Sequence, residues 1–142
     1  MKQGAERLIA LWVVFVAVHA LTAWLGWVYP SQPMGDVVLV YEPWATAAVS
    51  GGPIVGITET WVYPQLAMLP MLATWLFAWA VSYTPAWAIM VGLVDAAAFA
   101  VLVGRGLSRG RVTAARSWLA FIALMGPVAL YRPDGATGPP GH

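Results

Sequence analysis

The sequence predicts an all-α, polytopic integral membrane protein of about four transmembrane helices, with one long polar loop after the first. Three observations carry this expectation. Residues 8–28 are 21 residues without a charge. At about 1.5 Å rise per residue they reach roughly 30 Å, the thickness of a bilayer's hydrocarbon core. The 142-residue chain is 61% hydrophobic and only 9% charged, whereas a soluble domain carries about 25% charged residues. Nine Trp and five Tyr suit the aromatic belts at the two lipid–water boundaries.

The first apolar run is preceded by Lys2 and Arg7, as a signal peptide would be. It is long for such a segment, and Trp24, Trp27 and Tyr29 follow in place of a small-residue cleavage site. A retained helix is expected. Three more apolar segments follow at about 66–82, 86–103 and 117–131, with Pro70, Asp95 and Pro127 inside them. The turn Ser82-Tyr83-Thr84-Pro85 is short enough to make an antiparallel hairpin of the second and third. Pro85 fits a helix start, where its missing N–H costs nothing.

Residues 30–65 form the long loop. It holds Asp36, Glu42 and Glu59 and neither Lys nor Arg. Gly51-Gly52-Pro53 divides it, and 41–49 is expected as a short interfacial helix. A loop of this length is usually functional. Residues 105–116 form a basic connector with Arg105, Arg109, Arg111 and Arg116. The Gly/Pro-rich tail, 133–142, has no apolar periodicity and is expected to be disordered. With four crossings, Lys2, Arg7 and Arg132 fall on one side and the four connector arginines on the other. The positive-inside rule then leaves orientation nearly balanced.

Composition excludes several chemistries. There are no cysteines, hence no disulfide, thiolate or cysteine–metal site. His19 and His142 stand at opposite ends of the chain. A net charge of +1 gives no clustered basic face for nucleic acid. No phosphate-cradling glycine loop, Ser/His/Asp set or metal spacing appears, so neither a metal nor a cofactor is expected.

Among single residues, Asp36 stands out, eight positions past the first span in Met34-Gly35-Asp36-Val37-Val38-Leu39-Val40-Tyr41-Glu42-Pro43-Trp44. A carboxylate there can be a general base at the membrane surface, a metal ligand or a solvated loop residue. Asp95 lies among apolar residues inside the third segment. A charge at mid-bilayer costs about 2.5–3.5 kcal/mol on insertion scales, so such acids usually face a partner or a cavity. Asp95 is either a buried site residue or an acid paired with a polar group on a neighbouring helix, such as His19 or Thr22. Tyr41, Trp44, Trp61 and Tyr63 can stack on a sugar ring or anchor at the interface.

The order Asp36, Tyr41, Trp44, Gly51-Gly52-Pro53-Ile54, Glu59 and Tyr63-Pro64 between two spans resembles the first extracytoplasmic loop of the C-type membrane glycosyltransferases. It is most similar to the bacterial family 87 group, which uses polyprenyl-phosphate mannose. Gln65 stands where that group has a second proline. Asp95, and the stretch Gly126 to Asp134 with its Arg132-Pro133-Asp134, continue the resemblance over residues 8–134. It implies a bacterial plasma-membrane enzyme taking a sugar from a polyprenyl-phosphate donor to an extracytoplasmic acceptor. Asp36 would be the catalytic base. Tyr41, Trp44, Glu59, Tyr63, Arg132 and Asp134 would bind substrate, with arginine suited to the leaving phosphate. Members of the group run to ten or more spans. This chain is therefore expected to be an amino-terminal part, its tail a truncated or frameshifted end, and inactive alone. The alternative is a small non-catalytic multi-pass protein or subunit that packs against a larger membrane partner.

Overall fold

The computed structural model describes residues 2–28, 34–60, 63, 65–104 and 108–128. Within them the chain is helical apart from turns and one isolated bridge between Val55 and Glu59. Helix α1 is Lys2–Val28. It has neither Gly nor Pro between Ala5 and Leu25, so nothing interrupts its hydrogen-bond ladder. A π-turn, Val37–Tyr41, then leads into α2, Glu42–Val49. Pro43, in the first turn of α2, brings no N–H to the hydrogen-bond ladder that continues from the π-turn. Gly51, at φ 77°, turns the chain away after α2. The expected short helix at 41–49 is present, and it begins earlier, so the polar loop is largely helical between Gly35 and Val49.

The apolar run at 66–82 is not one continuous helix. A 3₁₀ turn at Gln65–Ala67 leads into α3, Met68–Ala73, and then α4, Trp75–Ala78. Pro70 supplies no amide, and Thr74, at the junction, is fully buried with its hydroxyl donating to the Pro70 carbonyl at 2.9 Å. A hydroxyl turned back onto the preceding turn bends a helix. Helix α5, Tyr83–Val103, contains Pro85 in its first turn and ends on Gly104 at φ 61°. Helix α6, Arg109–Met125, starts eight residues before the expected 117 because Ser108 caps it, its hydroxyl accepting from the Arg111 amide at 3.3 Å.

Two helices are long and apolar enough to cross a membrane, Gln3–Val28 and Tyr83–Val103. Their outward sides carry large apolar residues such as Val13, Val16, Trp24, Leu93 and Val101. A helix apolar on every face needs either a large core or lipid around it.

Contacts fix the relative directions of the helices. Trp12 and Phe15 pack on Phe99 at 5.1 and 4.9 Å, and His19 meets Asp95 at 2.8 Å. Rising numbers on α1 thus meet falling numbers on α5, so the two run antiparallel. Trp118 reaches Asp95, and Arg111 reaches the Val103 carbonyl, so α6 is antiparallel to α5 and parallel to α1. Helices α1, α5 and α6 form an up-down-up bundle. It follows that the chain leaves α1 and enters α5 at the same end. The segment between them makes no net passage along the bundle, unlike the expected second span.

The long helix α5 carries two apolar cores. Its first half holds Tyr83, Trp87 and Met90 against Val37, Tyr41, Ala45, Met68 and Met71. Its second half holds Phe99 and Val103 against Leu11 and Phe15 of α1 and Ala115 and Leu119 of α6.

Candidate functional site: a polar clasp and an acidic end

Asp95 lies between the two cores of α5. Its Oδ2 is 2.8 Å from Nε2 of His19, and the indole N–H of Trp118 donates to Oδ1 at 3.0 Å and to Oδ2 at 3.2 Å. One carboxylate therefore joins three helices. The His19 ring is stacked on Phe15 with centroids 4.0 Å apart, and its Nδ1 lies 2.9 Å from the Phe15 carbonyl. A carbonyl only accepts, so Nδ1 carries a hydrogen. Nε2 faces the Asp95 carboxylate at 2.8 Å as a close polar contact, without the alignment of a hydrogen bond. Of the two partners the sequence suggested, His19 takes the contact. Thr22 instead donates to the carbonyls of Val18 and His19, at 2.9 and 3.0 Å. Trp118 was not singled out in the sequence, since no spacing rule links an indole to an acid 23 residues away.

The other candidate residues lie around the π-turn and α2. Asp36 is half-buried, on helical backbone immediately before the π-turn. Tyr41 is 1% exposed, its ring 4.9 Å from that of Trp87. It is a core residue. Trp44 and Tyr63 are brought together, edge to face at 6.3 Å. Glu59 is exposed, and its carbonyl accepts from the Gly56 amide at 2.9 Å in a tight turn. The Gln65 side chain ties that turn to the start of the next helical segment through the Gly56 carbonyl, at 2.9 Å. Trp61, Arg132, Asp134 and the tail 133–142 lie outside the described residues.

The bundle separates charge. Lys2 and Arg7 begin α1, and Arg109, Arg111 and Arg116 fall in the first half of α6, at the same end because α1 and α6 are parallel. Arg111 also donates to the Val103 carbonyl at 3.2 Å, neutralising the carboxyl end of α5. Glu6 is the described carboxylate at this end. Asp36, Glu42 and Glu59 follow the far end of α1. Among the described residues, the near balance of cations expected from four crossings is thus replaced by a basic end and an acidic end.

No protein-family model matches the chain, and neither curated proteins nor solved structures gave a significant match.

Proposed function

We propose that this chain is a multi-pass plasma-membrane protein of a bacterium, with its basic end in the cytoplasm and its acidic, helical segment outside. The separation of charge along the bundle carries this reading. Arginine and lysine are retained on the cytoplasmic side, and here the described ones gather at the amino ends of α1 and α6. The segment bearing Asp36 then lies at the extracytoplasmic surface, where a lipid-linked substrate presents its head group.

On the glycosyltransferase resemblance, that segment is the amino-terminal part of a transferase using a polyprenyl-phosphate sugar. Asp36 takes the proton of an acceptor hydroxyl as its oxygen attacks the anomeric carbon, and the polyprenyl phosphate leaves. The phosphate needs cationic donors. Arg7, Arg109, Arg111 and Arg116 all stand at the opposite end of the bundle, so the phosphate-binding groups come from Arg132 or from further polypeptide. The same observation favours a second reading, a non-catalytic subunit that packs against a larger membrane partner.

The chain lacks cysteine, which permits a direct test. In intact cells, Thr58→Cys is expected to react with an impermeant maleimide, and Ser108→Cys only after permeabilisation. The reverse pattern refutes the orientation. Replacing the chromosomal copy by Asp36→Asn is expected to abolish one extracytoplasmic glycan while leaving the protein level unchanged. An unaltered glycan profile, with a deletion strain that does lose glycan, selects the subunit reading.

A further inference from the structure

Helices α1 and α6 run side by side with an open groove between them of about 790 Å³. Its character changes along its length. Arg7, Arg109 and Arg116 line the basic end, while Leu11, Val14 and Ala120 continue it toward the middle of the bundle. Among the described residues, no carboxylate or hydrogen-bond acceptor engages the three guanidinium groups, whereas Arg111 is committed to the Val103 carbonyl. Three unneutralised guanidinium groups beside an apolar trough complement one ligand chemistry, an anionic phosphate ester carrying a long hydrocarbon chain. Guanidinium forks bind phosphate oxygens in pairs. Arg116 lies about 10 Å further along the axis than Arg109 at the helical rise of 1.5 Å per residue. Its long side chain can reach back toward the surface, with its methylene stem in lipid. Anionic head groups in the cytoplasmic leaflet attract such basic juxtamembrane clusters.

We propose that the α1–α6 groove holds one anionic phospholipid of the cytoplasmic leaflet. Its phosphate sits on Arg7, Arg109 and Arg116, and an acyl chain lies along Leu11, Val14 and Ala120. The lipid lies in the open groove between the two parallel helices, on the side lined by Arg7, Arg109 and Arg116. This inference rests on the membrane reading above, but not on the transferase reading.

The test uses the full chain in nanodiscs made from equal parts phosphatidylglycerol and phosphatidylcholine, released into a native mass spectrometer. One phosphatidylglycerol is expected to be retained over phosphatidylcholine by at least about tenfold. The triple variant Arg7→Gln, Arg109→Gln, Arg116→Gln is expected to lose the preference with unchanged helix content. Ala120→Trp fills the trough and is expected to lower retention with the arginines intact. Equal retention of both lipids, a preference that survives the triple variant, or full retention in Ala120→Trp each overturns the proposal. A lipid-free dimer overturns it in favour of a second copy of the chain. Alkaline carbonate extraction comes first and keeps two failures apart. A chain released by carbonate refutes the membrane reading itself. A chain that needs detergent yet shows no lipid preference refutes only the groove.

Discussion

Replacing Asp95 by leucine and by asparagine gives unequal losses if the clasp is built as described. Leucine removes both acceptor oxygens. Nε2 of His19, 2.8 Å from Oδ2, and the Trp118 indole, 3.0 Å from Oδ1, lose their partner together. Interhelical hydrogen bonds in membranes average about 0.6 kcal/mol and reach about 1.7 kcal/mol. Two such links give an expected loss of about 1–3 kcal/mol. Asparagine is nearly isosteric and can serve both neighbours without an ionised group. Its amide N–H donates to Nε2 of neutral His19, and its oxygen accepts from Trp118. Its expected cost is below about 1 kcal/mol, by the same scale. Unfolding in mixed micelles by rising sodium dodecyl sulfate, followed by far-ultraviolet circular dichroism, measures each difference. A double-mutant cycle of Asp95→Leu with His19→Phe isolates the pair, with an expected coupling of about 1 kcal/mol. Coupling below about 0.3 kcal/mol, or asparagine as harmful as leucine, refutes the contact between His19 and Asp95 as a link that holds the helices.

Three further outcomes follow from single contacts. The Tyr83 hydroxyl is buried and donates to the Met71 carbonyl at 2.8 Å, so Tyr83→Phe is expected to cost about 1–2 kcal/mol in the same titration, by loss of one buried hydrogen bond. No loss would mean that α3 is not held against α5 there. Gly104 ends α5 at φ 61°, and a Cβ at that position meets the Arg111 guanidinium. Gly104→Ala is expected to destabilise by about 1–2 kcal/mol through backbone strain and displacement of Arg111 from the Val103 carbonyl. Arg111→Ala should then remove part of the penalty, and strictly additive losses would refute the link. Val13→Asp, on the outward apolar side of α1, is expected to reduce membrane insertion by about 2.5–3.5 kcal/mol. Unchanged insertion in a glycosylation-reporter assay argues against α1 as a span.

The two long helices were legible because hydropathy and length are local properties. Residues 8–28 fall inside α1, and 86–103 inside α5. The errors arose where a local scale meets a specific side-chain bond. Hydropathy reads Arg109 to Arg116 as a connector, but Ser108 satisfies an open amide of a helix that begins there. The run at 66–82 looks continuous to any averaging window, whereas Pro70 and Thr74 divide it into short pieces. The chain enters α5 at the end where it left α1, as their antiparallel contacts show, so counting apolar segments does not give the ends at which the described arginines lie. The π-turn at Val37–Tyr41 has no sequence signature either. Its effect is to set Tyr41 into the core beside Trp87, which takes one aromatic out of the set that could stack on a sugar. The buried acid was legible as needing a partner, and His19 could be named because so few polar groups occupy the spans. Trp118 could not, because its approach depends on where α6 begins.

These corrections bear on function through one geometric fact. Asp36 and Asp95 are the two acids that a transferase reading most readily combines. Asp95 is bound into the clasp between the cores, 2.8 Å from His19, while Asp36 precedes the π-turn that packs on the first half of α5. A carboxylate already holding an imidazole and an indole has few acceptor positions left for a substrate hydroxyl. Asp95 is therefore better suited to fixing the spacing of α1, α5 and α6 than to proton transfer with a sugar. On the proposed transferase reading, Asp36 remains the acid assigned to chemistry. It also separates the expected phenotypes. Asp95→Leu should weaken the fold in the detergent titration and lower protein level, whereas Asp36→Asn, on the transferase reading, should cost less stability than Asp95→Leu and alter the glycan. A variant at Asp36 that unfolds as readily as Asp95→Leu would remove the grounds for assigning it a catalytic role.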